Sequence, residues 1–492
     1  MQYLSTLDAA FLRMESPRTP MHVGALMTFR LPPKAPRDFF QRLLSRMREH
    51  PFMPAPFGYR LSQTALSKLA PAWVESPVDM DYHLRHSALP YPGGERELGI
   101  LVARLHSHPL DLNRPLWEAH LIEGLEDNRF ALYFKAHHCA IDGMGAMRMV
   151  QRWLSTDPHD TRADGPWVLA EKPPKARPPS AVPSLGQRLA RPVSLAGHQV
   201  RSLGDLGKAI FQMSRGDDSP TRAALSTPRS LFNVPVSAQR RLGTQILSLD
   251  RLKAVASAGN ASTNEVLLAV CGGAIRRYLV EQGNVPDKPL LASVPMGLIR
   301  PDGKAGNAVA GFVCPLGTHI DDPRERLGAV SRVSSRAKRE LSAMPQTALN
   351  QLALLGLSPL ILGQMTGLLP KLPPFFNFVI SNVVLSKQPL YLMGAELEAM
   401  YPVSFLFDGY AINITLVGYC DRVAVGFLGC REAIPSLQRL AVYTGDALTE
   451  LEKAFGIAPP KAPARPRAKT AKKAKSSAPT PTPRRKTARK SP

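Results

Sequence analysis

The sequence predicts an α/β protein of two lobes, and three observations carry the prediction. Residues 1–160 and 230–458 each alternate strand-like stretches with helical periodicity. Between them, residues 161–229 hold nine prolines in 69 positions, including Pro173-Pro174 and Pro178-Pro179, which reads as a long crossover. The apolar fraction, 44% of 492 residues, is ample for a core. A fourth zone, residues 459–492, contains only Lys, Arg, Pro, Ala, Ser and Thr. With no aromatic or large aliphatic side chain to offset chain entropy, it is expected to be disordered.

The first lobe is clearest near its end. Residues 130–138, Phe-Ala-Leu-Tyr-Phe-Lys-Ala-His-His, alternate and are aromatic, so they predict a strand. A helix is expected to start at Asp142 or Gly143 and to run through Met147, Val150 and Leu154. In the crossover, Val200, Leu203, Ile210 and Phe211 lie among Arg188, Arg191, Arg201 and Lys208, a pattern that allows a basic amphipathic helix. The second lobe predicts a mostly buried helix over 264–278 with Thr263 as N-cap. Strands are expected at 290–295, 376–381, 411–417 and 423–428. Residues 341–370 carry no charge, but Pro345, Pro359 and three glutamines interrupt them, so a buried or interfacial helix is expected over a spanning one.

The net charge of +23 points first to nucleic acid, but its distribution changes that. Twelve basic and no acidic residues lie in 459–492, leaving the body with an excess of only eleven. The five cysteines form no C-x-x-C pair, which fits a reducing cytosol and offers no zinc framework. The N-terminus lacks a basic start followed by an apolar run, so no signal peptide is expected.

The chemistry concentrates in His137-His138-Cys139-Ala140-Ile141-Asp142-Gly143, at a strand-to-helix turn. Strand side chains alternate faces, so Phe130, Leu132, Phe134, Ala136 and His138 share one face and Tyr133, Lys135 and His137 the other. Without a bulge, His138 ends an apolar row, where burial favours neutral imidazole, the form a general base requires. Such a base suits acyl transfer without a covalent enzyme intermediate. Asp142 is assigned to holding the turn, with Arg300 as one candidate partner, and Gly143 to a backbone bend or close substrate approach. The same letters also suit a structural histidine pair with a capping aspartate. Adjacent strand histidines point to opposite faces, which disfavours a shared metal.

These residues resemble the HHxxxDG motif of the CoA-dependent acyltransferase superfamily, which includes chloramphenicol acetyltransferase, carnitine acyltransferases and peptide-synthetase condensation domains. Further stretches are similar to one branch, the bacterial wax ester synthase/diacylglycerol acyltransferases. They are Leu-Asp-Ala-Ala-Phe-Leu at 7–12, Pro-Met-His-Val-Gly at 20–24, Pro-Leu-Trp-Glu at 115–118, Asn-Val-Pro-Val-Ser at 233–237 and the helix from 263 to 279. The resemblance covers roughly residues 1–455. It implies two chloramphenicol-acetyltransferase-like lobes with a tunnel between them, acyl-CoA as co-substrate, no metal or other cofactor, and a hydroxyl acceptor such as diacylglycerol or a fatty alcohol. His138 would be the base and His137 and Asp142 supports. Asn264 would be an oxyanion or hydroxyl partner, although it also suits a plain helix start. The departures gather in the second lobe: Glu265 stands where the family often has Asp, Met296 and Gly297 differ from its Pro-Val-Ser-Leu stretch, and Val384-Leu385-Ser386 replace the end of Ser-Asn-Val-Pro-Gly-Pro. They leave the identity of the alcohol open.

The resemblance makes the expected location cytoplasmic, peripheral to the inner membrane or lipid droplets. The basic tail would tether the protein to an anionic lipid surface, with non-specific nucleic-acid contact as the competing role. Two other function classes stand beside it: a condensation-type domain using carrier-protein thioesters, and a non-catalytic lipid-surface or DNA-associated protein.

Overall fold

The computed structural model describes residues 2–49, 53–64, 70–169, 227–284, 287–299, 305–344 and 346–458. The first half runs β1 (Gln2–Tyr3), α1 (Thr6–Met14), β2 (His22–Arg30), α2 (Phe39–Arg48), β3 (Tyr59–Leu61), β4 (Ala72–Glu75), α3 (Met80–His83), β5 (Leu84–Ala88), α4 (Glu95–Ser107), β6 (Trp117–Leu125), β7 (Arg129–His137) and α5 (Gly143–Trp153). The second half runs β8 (Arg240–Ser248), α6 (Leu249–Ala258), α7 (Thr263–Glu281), β9 (Leu291–Ile299), β10 (Ala305–Pro315), α8 (Pro323–Ser342) and α9 (Gln346–Thr366). It continues with β11 (Phe378–Ser386), β12 (Tyr391–Leu392), β13 (Ala395–Val403), β14 (Ile412–Tyr419), β15 (Arg422–Cys430) and α10 (Leu437–Ala454). The basic-helix expectation at 200–211, Arg300 and the tail at 459–492 lie outside the described residues.

Two six-stranded mixed sheets form the frame, in the orders β12-β13-β2-β7-β6-β5 and β10-β9-β11-β14-β15-β8. A small sheet, β1-β4-β3, stands beside them. Sheet membership does not follow chain order. Strand β13 belongs to the second half, yet it pairs antiparallel with β2 and completes the first sheet. It also packs across β14 and β15 of the second sheet. Gly426 permits that approach, because a Cβ there would overlap the carbonyl of Pro402.

Strand β7 is central and covered on both faces. Phe130, Leu132, Phe134 and Ala136 enter one core, while Ala131 and Tyr133 enter the other. The polar row expected on the second face is therefore buried, and its groups are satisfied internally. Lys135 donates to Leu105 O at 3.1 Å and His108 O at 3.0 Å and lies 3.3 Å from Glu118. Burial alone would raise Glu118, but His120, Lys135 and Arg85 together hold it down to about 2. His106 donates from Nε2 to Ser404 O at 2.6 Å and accepts at Nδ1 from Tyr133 OH at 2.7 Å. His22 donates to His106 O at 2.8 Å.

In the second half, α7 is buried almost all round, as its apolar sequence predicts. Its N-cap is Ser262 rather than Thr263. Glu265 closes a capping box onto Ser262 N at 2.8 Å, so this departure from the family pattern serves the helix start. Val384 and Ser386 continue β11 along β14 where the family pattern has Pro-Gly-Pro; residues with an N–H can remain in a ladder that proline leaves. Helix α9 has two faces. Leu349 and Leu360 are buried, and Leu362 and Met365 are exposed. No helix among the described residues is long and apolar enough to cross a membrane.

The buried imidazoles set an acid limit on stability. Burial, followed by the Lys135 charge, lowers His106 to about 3, and burial with His106 and Lys135 depresses His22 well below the usual histidine value. The unfolded chain protonates these rings below pH ~6.5 while the folded chain does not, so stability falls as pH drops from about 6.5 toward 4. Each ring held neutral at pH 5 costs about 2 kcal/mol. Denaturant melts should show a midpoint well below its pH 7 value at pH 5, and equal midpoints would contradict neutral burial.

Candidate active site

The site begins where β7 ends. Its register with β2 runs unbroken from Arg30 opposite Arg129 to His22 opposite His137. One further bond, His138 N to Met21 O at 2.8 Å, extends the ladder. No bulge precedes His138, so the parity of the strand carries through to it. The chain then turns, with Ala140 N and Ile141 N both donating to His137 O. Asp142 caps α5: its Oδ1 accepts from Gly145 N at 2.5 Å. An aspartate at this position both satisfies an orphan N–H and complements the helix dipole.

The two histidines differ in what they have left to offer. His137 is fully buried. Its Nδ1 accepts from Cys139 N at 3.1 Å and therefore carries no proton. Its Nε2–H then donates to Glu15 Oε2 at 2.8 Å. Both ring nitrogens are committed, and Glu15 also accepts from Met21 N at 3.0 Å.

His138 is half-buried between aromatic rings. Phe11 of α1 stacks on it, centroids 4.1 Å apart at 25°, and Phe405 meets it edge-on at 5.4 Å and 84°. Burial lowers its pKa to about 4, opposed by the charge of Asp142 and reinforced by His137. The ring is neutral at pH 7 with no proton donor required to hold it so. The pair turns to different partners, Glu15 on one side and two phenylalanines on the other, so the two rings do not face a common ion. Burial also pushes the Cys139 thiol above its ordinary value, which leaves it a poor nucleophile.

Gly143 has no positive φ, and a Cβ there would meet nothing within 4 Å. Neither a backbone bend nor crowding by protein atoms therefore requires glycine at this position. Asn264 lies at the start of α7, where its Oδ1 accepts from Asn382 Nδ2 at 3.2 Å. Asn382 belongs to β11, the strand against which α5 packs, and Gln151 of α5 donates to Leu385 O. His137, His138, Asp142 and Gly143 thus share one turn, and Asn264 stands on the second sheet's side, linked to them through β11.

Sequence reasoning missed Glu15, Phe11 and Phe405. Phe11 sits within the Leu-Asp-Ala-Ala-Phe-Leu stretch, and Phe405 in the aromatic run Ser-Phe-Leu-Phe-Asp at 404–408, the two signals that could have drawn attention. Trp117 of the Pro-Leu-Trp stretch is a packing residue: it is fully buried, stacks on Trp167 at 4.6 Å, and donates to Phe57 O at 2.9 Å.

Residues 4–267 match the family model of the wax ester synthase/diacylglycerol acyltransferase catalytic domain, and residues 305–452 that of the family's C-terminal domain. The chain belongs to this family. It is an acyltransferase. A putative diacylglycerol O-acyltransferase of Mycobacterium tuberculosis is 49% identical over 455 residues, covering 92% of this chain and 99% of that one. A probable diacylglycerol O-acyltransferase of the same species is 40% identical over 462 residues, covering 92% and 98%. The solved wax ester synthase/diacylglycerol acyltransferase of Marinobacter aquaeolei VT8 superposes with a TM-score of 0.74 at 36% identity, covering 93% of this chain and 100% of that one. A condensation domain of the calcium-dependent antibiotic synthetase, at 16% identity and a TM-score of 0.57, shares the fold alone.

In this acyltransferase the Glu15–His137 bond holds α1 to the end of β7. Glu15→Ala would strand His137 Nε2–H and Met21 N, at a cost of about 1–3 kcal/mol. Glu15→Gln, which keeps an acceptor, should cost less, as read from denaturant midpoints of the two variants.

Proposed function

We propose that the chain transfers a long-chain acyl group from acyl-CoA to the hydroxyl of a lipid alcohol, diacylglycerol or a fatty alcohol, with His138 as general base. The observation that carries this is a half-buried imidazole, neutral at pH 7, held between Phe11 and Phe405 at an open turn. His138 accepts the hydroxyl proton as the alcohol oxygen attacks the thioester carbonyl carbon. The carbonyl electron pair moves to its oxygen. When that oxyanion collapses, the C–S bond breaks and the CoA sulfur takes the proton back from His138. The products are an ester and free CoA, and His138 is again neutral.

The neighbours support these steps. Asp142 carries a negative charge that favours the imidazolium while it lasts. His137 has no free nitrogen lone pair and supports the turn instead. No protein atom lies within 4 Å of where a Cβ on Gly143 would stand, so the turn is open on that side. With its carbonyl engaged by Asn382, Asn264 offers an NH2 donor for the oxyanion or the acceptor hydroxyl. The acceptor named for the relatives is diacylglycerol.

Lipid acceptors reside in lipid surfaces, and this reading extends to peripheral attachment at the cytoplasmic face of the inner membrane or at lipid droplets. Leu362, Met365, Leu368 and Leu372 are exposed along α9 and the turn beyond it, beside Lys371, in support of that attachment. The twelve basic residues of 459–492 would add attraction to anionic headgroups, and to nucleic acid without sequence preference.

Labelled long-chain acyl-CoA offered with diacylglycerol, fatty alcohol, sterol and short alcohols, followed by thin-layer separation, tests the reaction. Ester should form with the first two, and His138→Ala should lose at least 100-fold in turnover. Ester formation by His138→Ala within a fewfold of the parent would remove the assigned base. Because the ring stays neutral down to about 4, the parent's kcat/KM should be flat from pH 8 to pH 5.5. Paired Leu362→Asp and Met365→Asp changes, or deletion of 459–492, should weaken flotation with anionic vesicles while leaving turnover of a short soluble alcohol intact. Unchanged flotation by both variants would retire the attachment.

A further inference from the structure

The segment 404–408 is short, comes from the second half of the chain, and is held at both ends by buried groups that the reaction does not use. At its start, Ser404 O accepts the Nε2–H of His106, whose Nδ1 is in turn held by Tyr133 OH. At its end, Asp408 Oδ1 accepts from Val236 N at 3.0 Å and Oδ2 from Arg18 at 2.8 Å. Asp408 N donates to Gln364 Oε1 at 2.9 Å. Gln364, on α9, also donates to Thr19 Oγ1 at 2.7 Å and Met14 O at 3.3 Å. Four separate parts of the chain, at Arg18, His106, Val236 and Gln364, therefore fix a five-residue stretch.

What that stretch presents is Phe405. Its ring meets His138 edge-on, and it contacts Phe11 at 5.9 Å and Phe407 at 5.2 Å, both near perpendicular. Phe11 covers one face of the imidazole and Phe405 approaches it from another direction. An imidazole joined to Cβ by a single bond rotates unless packing stops it, and a general base must be aimed.

We infer that Phe405 is a positioning residue for His138: with Phe11 it fixes the plane of the imidazole and excludes water from it, and the clamps on Ser404 and Asp408 exist to hold that ring in place. This rests on His138 being the base. It assigns a task in the first-half site to a loop of the second half, and it gives the buried His106 and Gln364 a purpose.

Among the described residues, the charged and titratable groups around His138 are few. Asp142 stands ahead of it and His137 beside it, with Glu15 behind His137. Asp8 of α1 and Glu15 lie toward Cys139. On the 404–408 loop, Asp408 is spent on Arg18. None of these changes when Phe405 is shortened, so a changed titration in that variant reports water and ring freedom.

The test compares Phe405→Leu, Phe405→Tyr and the parent, each with acyl-CoA and a soluble alcohol between pH 5 and 8. Phe405→Leu should lower kcat about tenfold with KM for acyl-CoA within about twofold, and its acid limb should rise into the pH 5.5–6.5 range where the parent is flat. Phe405→Tyr, which keeps the ring, should restore both. Should Phe405→Leu not fold, as judged by its thermal transition, Phe11→Leu on α1 carries the same comparison. A flat profile in the leucine variant, or a loss that falls on KM alone, overturns the inference. His138→Ala in the same assay separates the two readings: if it retains turnover, the base assignment has failed; if it is inactive and the leucine profile is flat, only the role of Phe405 has failed.

Discussion

Burial of β7 on both faces is the constraint from which the rest follows. A strand covered on one side can leave its polar row in water. This one cannot, so Lys135, His137 and their neighbours must each find a partner inside the protein. Lys135 finds Glu118 and two carbonyls, and His106 finds Tyr133 and Ser404. His137, on the same face as Lys135, finds Glu15 and the Cys139 amide. These partners come from the C-cap of α1, α4 and its end, β6 and the loop after β13, so satisfying one strand draws distant chain segments to a single place.

The two adjacent histidines show the consequence. They share a backbone and differ only in face, yet one is consumed by hydrogen bonds and the other is enclosed by hydrocarbon. A ring with both nitrogens bonded has a fixed tautomer and cannot turn over a proton without breaking a bond. A ring between phenylalanines keeps a lone pair available and resists protonation, because the imidazolium would lose its hydration. Parity alone thus separates a bonded ring from an enclosed one, and the charge of Asp142 opposes the effect of burial on the second.

Much of this was legible in the sequence where a pattern is local. The strand read at 130–138 occupies Arg129–His137, Asp142 caps the next helix, and the central strands of the second half lie within two residues of their expected starts. Boundaries set by side-chain hydrogen bonds were less legible: Ser262 takes the cap of α7 because Glu265 can reach back to it, a reciprocity that Thr263 would place one residue out of step. Long-range pairings left no local trace. Nothing around 395–403 announces that this strand joins β2, and Glu15 is one carboxylate among many until α1 brings it to His137. Phe405 is legible only as part of an aromatic run, since its meaning depends on a loop that crosses between sheets.

That crossing explains why the fold keeps its two halves in one compact unit. If β13 paired within the second sheet, the 404–408 loop would leave the first-half site, and His138 would lose the edge-on contact of Phe405. The crossing is held by main-chain ladder bonds along β2, by Gly426 admitting Pro402, and by the side chains that grip Ser404 and Asp408. Ladder bonds tolerate most substitutions, whereas a glycine contact and buried side-chain bonds do not. The sequence is therefore tightly constrained where the two halves meet. Helix α9 joins that junction through Gln364 and also carries the exposed Leu362 and Met365, so one helix bears both the grip on the 404–408 loop and an apolar surface.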